Sequence, residues 1–270
     1  MIVQTSVDGL RAWKKNRAIK SPWIRVLILL VIIAYFILAS QSVEINFERI
    51  RLGLSRIGTM FNGFLRPDFL SRGKYIADGV LESVAMTIVA SSICLFLAVP
   101  LSLGASRNIV PLPIYLVCRV ILMIVRSLHV VVIGIIFVIM LGFGPLAGVL
   151  TLMLNSVGFI GKLLAEDIEN IDKEPLEAIR ATGASWLQVV VYGVWPQIST
   201  RFIGLAIYRA DINFRQSTIL GIVGAGGIGG VLDTAMGRYD YRTAGAILLV
   251  IIAMVLVAEY ISSHIRRRIV

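Results

Sequence analysis

Charge is scarce in this chain. Only 16% of its 270 residues are Asp, Glu, Lys or Arg, where soluble domains carry about a quarter. Hydrophobic residues make up 57%, and mean hydropathy is +0.87, so lipid is the solvent for much of the chain. Cysteine is rare too. Cys94 and Cys118 lie inside apolar runs with no CxxC spacing and no companion histidine. That excludes a disulfide framework or a cysteine metal site and leaves two small buried hydrophobes. Histidine is limited to His129 and His264, and neither HExxH nor GxSxG occurs, so a membrane enzyme lacks its usual parts. No P-loop exists. At Gly161-Lys162 the place of the first glycine is taken by Ser156 and that of the hydroxyl by Leu163. Any energy from ATP must therefore enter through a partner. Gly224-x-Gly226-x-x-Gly229 matches a dinucleotide fingerprint letter by letter, but no βαβ unit surrounds it and no acidic residue follows about 20 positions on. It reads as a glycine-rich re-entrant turn at the outer face.

The charge that is present is basic, a net +10, and sits mainly at the edges of long apolar runs. Membrane topology and anionic lipid explain it without nucleic acid. A spanning helix needs about 20 mostly apolar residues, and the chain offers six such runs. The basic N-terminus 1–22 (Arg11, Lys14, Lys15, Arg17, Lys20) precedes a first span over 23–40, which lacks small residues placed for signal cleavage and is read as a retained helix. Residues 41–75 form an external lobe or an interfacial amphipathic helix. Further spans run from Leu81 to Gly104, from Pro113 to Leu141 with a break near Arg126–His129, and from Leu146 to Leu164. Two more run from Val190 to Ile219 and from Thr243 to Ile261. The fold class is all-α integral membrane. Basic residues at both ends, with Arg266–Arg268 closing the chain, place the N- and C-termini in the cytoplasm, and counting spans puts the polar stretch 166–188 there as well.

That stretch has helix grammar. Asp172 or Glu174 suits a helix start, Pro175 a first helical position, and Gly183 the left-handed position that ends a helix. Ser185-Trp186-Leu187-Gln188 fits a capping box. The local reading is a short helix, a Gly-Ala turn, and a second helix entering the membrane. Taken alone, it fits a helix pair resting on lipid headgroups equally well.

The spacing of Glu177-Ala178-Ile179, Gly183 and Pro196 resembles the "EAA" loop of ABC importer permeases, with Ile179 in place of the second Ala and Trp195 before the Pro. Further blocks resemble permeases of the phosphonate uptake family: Ala181-Thr182-Gly183-Ala184, Tyr192-Gly193-Val194-Trp195-Pro196-Gln197, Arg215-Gln216-Ser217-Thr218, and Gly221 to Gly229. The glycine block also resembles methionine-type permeases. The similarity covers about 76 to 268. It implies one N-terminal helix plus a five-helix type I permease core over 76–265. It also implies a cytoplasmic coupling loop in which Glu177, Ala178 and Gly183 meet an ABC ATPase.

On this resemblance the chain is not itself an enzyme and binds no cofactor; ATP and magnesium belong to two copies of the ATPase subunit. An external substrate-binding protein delivers cargo, and one coupling loop per chain implies a second permease copy in a homodimer in the bacterial inner membrane. The cargo is a phosphonate or a related phosphorus oxyanion (phosphite, phosphate or a phosphate ester). Methionine is the alternative. A lone ion-coupled secondary transporter gives no reason for the Glu177–Gly183–Pro196 spacing. Among charges inside spans, Arg126, His129, Arg209 and Arg215 are the candidate pathway residues, since guanidinium groups suit oxyanions. Asp211 and Arg215, four apart, also suit an internal ion pair, and Arg201 can snorkel to the interface.

Overall fold

A computed structural model describes residues 21–42 and 47–269. The basic residues Arg11 to Lys20 of the N-terminus lie outside the described residues. Eleven α-helices and one π-helical segment are present, with no strand among the described residues. Five helical stretches are long and apolar enough to cross a membrane, or six when the bent pair α4–α5 counts as one span. This matches the six-span expectation.

The chain divides into two compact units, 1–57 and 58–270. The first holds α1 (Pro22–Ser42), the expected first span, and most of α2 (Phe47–Phe64). Helix α2 is amphipathic, with Ile50, Leu54, Ile57 and Phe61 at helical spacing. Within the segment 41–75, residues 47–64 are this helix and 65–72 a turn that leads into the next helix.

The second unit is the bundle. Helices α3 (Gly73–Gly104) and α6 (Pro145–Glu169) run parallel, Met86 beside Gly148 and Ser106 beside Ala165. Helices α4 (Leu112–Ser127) and α9 (Trp195–Ile222) run antiparallel to α6, as Leu122 meets Gly161 and Arg201 meets Asp167. Helix α11 (Tyr241–Ile269) is antiparallel to α9. Small residues set these contacts. A methyl on Gly148 would lie 2.7 Å from the Ala225 carbonyl, on Gly158 2.8 Å from Val125, and on Gly161 2.7 Å from Leu122. Close backbone approach replaces the hydrophobic drive that lipid does not supply.

The break expected near Arg126–His129 is a right-angled elbow. Leu128 and His129 are extended, and α5 (Val130–Leu141) leaves α4 at 91°. Gly142 and Gly144, both at positive φ, turn the chain into α6, where Pro145 opens the helix. The fifth span departs from the continuous helix expected over 190–219. It starts as α8 (Trp186–Gln188), widens to a π segment over Val189–Val194, and becomes α9 at Trp195. Pro196 accounts for the widening, because it lacks an N–H and its ring would clash with the carbonyl four residues back. The glycine-rich stretch is a turn, as expected, with Gly224, Gly226 and Gly227 at positive φ. It leads into α10 (Gly227–Gly237), a helix folded back on α9 that the sequence reading stopped short of.

Candidate functional site

The bundle end that holds the C-termini of α3 and α6 carries the polar loop. Helix α7 spans Lys173–Ala181, with Asp172 at its N-cap and Pro175 third in the helix rather than first. The Asp172 side chain makes no cap; its N–H instead donates to Gln197 Oε1 at 3.0 Å. At the other end Gly183 has φ +79°, and its N–H closes on the Arg180 carbonyl at 3.0 Å. The Gln188 side chain accepts from the Ser185 N–H at 2.8 Å, the side-chain half of the expected capping box.

One face of α7 is anchored. Leu176 is buried and packs with Ile109, Ile168, Val189, Val190, Val194 and Ile198, and Ile179 joins that cluster. A methyl added to Gly193 would lie 3.2 Å from Ile179 and 3.5 Å from Leu176, so α7 rests directly on the π segment. Trp186 Nε1 donates to the Ile109 carbonyl at 3.1 Å and Asn108 Nδ2 to the Ile168 carbonyl at 2.7 Å, tying in the α3–α4 turn. The other face is exposed. Glu177, Ala178 and Gly183 are all exposed, and Glu177 makes no ion pair or hydrogen bond among the described residues. The exposed side of α7 thus presents two carboxylates unpaired among the described residues, Glu174 and Glu177, beside the small residue Ala178.

Gly183 has open space around it, so its φ rather than crowding demands glycine. Gly183→Ala is expected to cost about 1 kcal/mol of loop stability, with Gly183→Asn costing less. Thermal melting of the purified chain compares the two; equal melting for wild type and Gly183→Ala would remove the conformational argument.

The second cluster lies inside the bundle. Arg209 is 3% exposed. Its Nε donates to Ser156 Oγ at 2.8 Å, and a terminal nitrogen donates to Asn155 Oδ1 and, at 3.3 Å, to Gln216 Oε1. The guanidinium also lies 5.1 Å from the Phe159 ring centroid. Ser156 Oγ donates to Asn213 Oδ1 at 2.8 Å, and the Asn213 amide donates to Ser91 Oγ at 3.0 Å. This chain of bonds joins α9 to α6 and α3.

Arg126 and His129 sit at the elbow, both exposed. His129 Nδ1 accepts from the Val131 N–H at 3.3 Å and so caps α5. Arg126 has no polar partner among the described residues. The end of α4 packs on Gly158, where a methyl would come within 3.3 Å of the Arg126 backbone nitrogen. That is one helical turn from Asn155, so the elbow and the Arg209 cluster share one stretch of α6. Arg215 stands apart from them. It pairs with Asp211 at 2.5 Å and Glu259 of α11 at 3.8 Å, the internal pair that its spacing suggested. Arg201 pairs with Asp167 at 2.8 Å. In the sequence Gly193 and Gln216 stand out only as members of the family-like blocks and Asn155 not at all, because neutral amides and a lone glycine raise no flag inside an apolar run.

Residues 98–270 match the family described as "Binding-protein-dependent transport system inner membrane component". The chain is 42% identical over 216 residues to the phosphite transport system permease protein PtxC of Stutzerimonas stutzeri, covering 80% of this chain and 78% of that protein. It is 35% identical over 237 residues to the putative phosphite permease HtxC of the same organism, covering 87% and 84%. Identity to the phosphate-import permease PhnE of Mycolicibacterium smegmatis is 37% over 212 residues, 78% of this chain and 40% of that one. Among solved structures, an inward-facing MetNI methionine ABC transporter chain superposes with a TM-score of 0.62 at 22% identity. It covers 72% of this chain and 96% of that chain, a likeness of fold. The chain belongs to the binding-protein-dependent transport system inner membrane component family and is the membrane-spanning, non-catalytic permease of an ABC importer.

Proposed function

We propose that this permease imports a phosphorus oxyanion (phosphite, phosphate, a phosphate ester or a phosphonate) by alternating access, driven by ATP hydrolysis in a partner. The observation that carries the cargo is the identity of 35% to 42% to relatives named as phosphite permeases, across 80% or more of the chain. The geometry agrees with it. Arg126 and Arg209 are guanidinium groups in a spanning region without a carboxylate partner among the described residues, and guanidinium presents forked donors to oxyanions.

Coupling runs through α7. Its exposed Glu177 face docks on the ATPase, and its Leu176–Ile179 face rests on Gly193 of the π segment that continues into α9. A push on α7 therefore reaches the helix that carries Arg209 without crossing a flexible linker. Two copies of the chain face two ATPases, which bind ATP and magnesium, and an external binding protein selects the cargo. Both termini lie in the cytoplasm; α11 runs toward the α7 end, and Arg266–Arg268 mark that side.

The test is uptake in cells lacking this gene and complemented with it, using phosphite, methylphosphonate, phosphate and methionine. Restored uptake of at least one phosphorus oxyanion and none of methionine is expected. Restoration of methionine uptake alone would move the chain to the methionine-type reading that the fold likeness also allows.

A further inference from the structure

We propose that Asn155, Ser156 and Gln216 are positioning residues that hold Arg209 with its charge uncompensated, so that the passing oxyanion becomes its counter-charge. The inference rests on the phosphorus oxyanion reading above and deepens it by naming the residues that keep a positive charge available to the cargo inside the bundle.

A guanidinium buried in a membrane protein normally finds a carboxylate, because an unpaired buried charge is strongly destabilising. Arg209 finds none among the described residues, although acids are near in sequence. Asp211 lies two positions on, on another face of α9, and is taken up by Arg215, which also draws Glu259. Every oxygen that meets Arg209 is instead neutral: a hydroxyl from Ser156 and amide carbonyls from Asn155 and Gln216. Neutral acceptors fix the orientation of the fork and leave its charge intact. A carboxylate in the same place would fix it equally well and cancel the charge.

The shell also has an open side. Ser156 and Asn213 are fully buried, whereas Asn155 and Gln216 are half-buried. Half-buried amides over a guanidinium do not face lipid, where unmet polar groups are costly; they face water or a partner subunit. The elbow lies one turn away on α6, and its two extended residues and exposed Arg126 carry the same requirement. Irregular backbone at membrane depth occurs where it lines a cavity or is buried in protein. Two independent features of one α6 face thus point to a hydrated path beside Arg209.

Removing Arg209 itself would leave Ser156, Asn155 and Gln216 without their donor and can unfold the bundle. The informative variant is Asn155→Asp, which keeps the acceptor and adds the charge. In membrane vesicles holding the full complex, ATP-driven uptake of phosphite and phosphate is expected to fall at least about tenfold, while the melting temperature stays equal to or above that of wild type. Gln216→Glu should behave alike. Asn155→Gln, which restores a neutral acceptor, is expected to stay within about threefold of wild type. A shell that merely packs the bundle would let Asn155→Asp transport normally, since the new ion pair only strengthens it; that result, with wild-type uptake present, overturns this inference alone. Wild-type vesicles that take up no phosphorus oxyanion overturn the cargo reading, and this inference with it.

Discussion

Glu177→Arg is expected to abolish uptake while leaving the permease folded. Glu177 is exposed and makes no contact that the fold uses, so reversing its charge should change stability by no more than about 0.5 kcal/mol. Its neighbours Ala178 and Gly183 keep the same face small, which allows another protein to approach the carboxylate closely. At such an interface a misplaced charge meets its like or loses its partner, a cost of about 2–5 kcal/mol. That is enough to lower docking by 30-fold or more, at roughly 1.4 kcal/mol per factor of ten. Co-purification of the ATPase with the variant and vesicle uptake measure the two effects. Loss of both with an unchanged melting temperature is the expected pattern; full uptake with the ATPase attached would take the coupling role away from this loop.

The second large effect is on folding. A methyl on Gly229 would land on the Thr218 carbonyl oxygen, nearer than any real contact, with the Gly221 Cα 3.0 Å away. The reciprocal methyl on Gly221 would meet the Gly226 carbonyl and the Gly229 Cα at 2.6 Å. All of these obstacles are backbone, so no rotamer change relieves them, and α10 would have to leave α9. Gly229→Val is expected to cost about 3 kcal/mol or more, read as loss of monodisperse protein after extraction. Gly230→Ala is the internal contrast, because its methyl would sit at an ordinary 3.6 Å from the Gly221 carbonyl. Equal yields from the two variants would mean that the close approach of α9 and α10 is not required.

Much of this fold is legible in the residues, and the reasons differ by element. The elbow shows because 113–141 is too long for one straight span and carries Arg126 and His129 midway. The end of α7 shows because Gly183 supplies a left-handed residue that few others tolerate. The capping of the next helix shows in Ser185 and Gln188. By contrast, the π segment has no local signature other than Pro196 downstream, and a proline announces a distortion without saying which one. Helix α10 hides behind Gly224–Gly230, whose glycines serve both as a turn and as the contact surface of a helix. Among the charges within the spans, Arg209 and Arg215 look alike in sequence. Only the three-dimensional arrangement separates them, since Arg215 has Asp211 and Glu259 while Arg209 has amides and a hydroxyl. Neutral acceptors matter here because of what they surround, which a single sequence does not display.

As the pathway of an ATP-powered oxyanion importer, this chain should accumulate its cargo only when its ATPase is fuelled. The most direct measurement is accumulation of labelled phosphite or phosphate in proteoliposomes holding the permease with its ATPase and binding protein, with and without ATP on the ATPase side. Accumulation against a gradient that requires ATP, and that is lost in Glu177→Arg, is the predicted result. Uptake that proceeds equally without ATP, or that persists in liposomes carrying the permease alone, would contradict it.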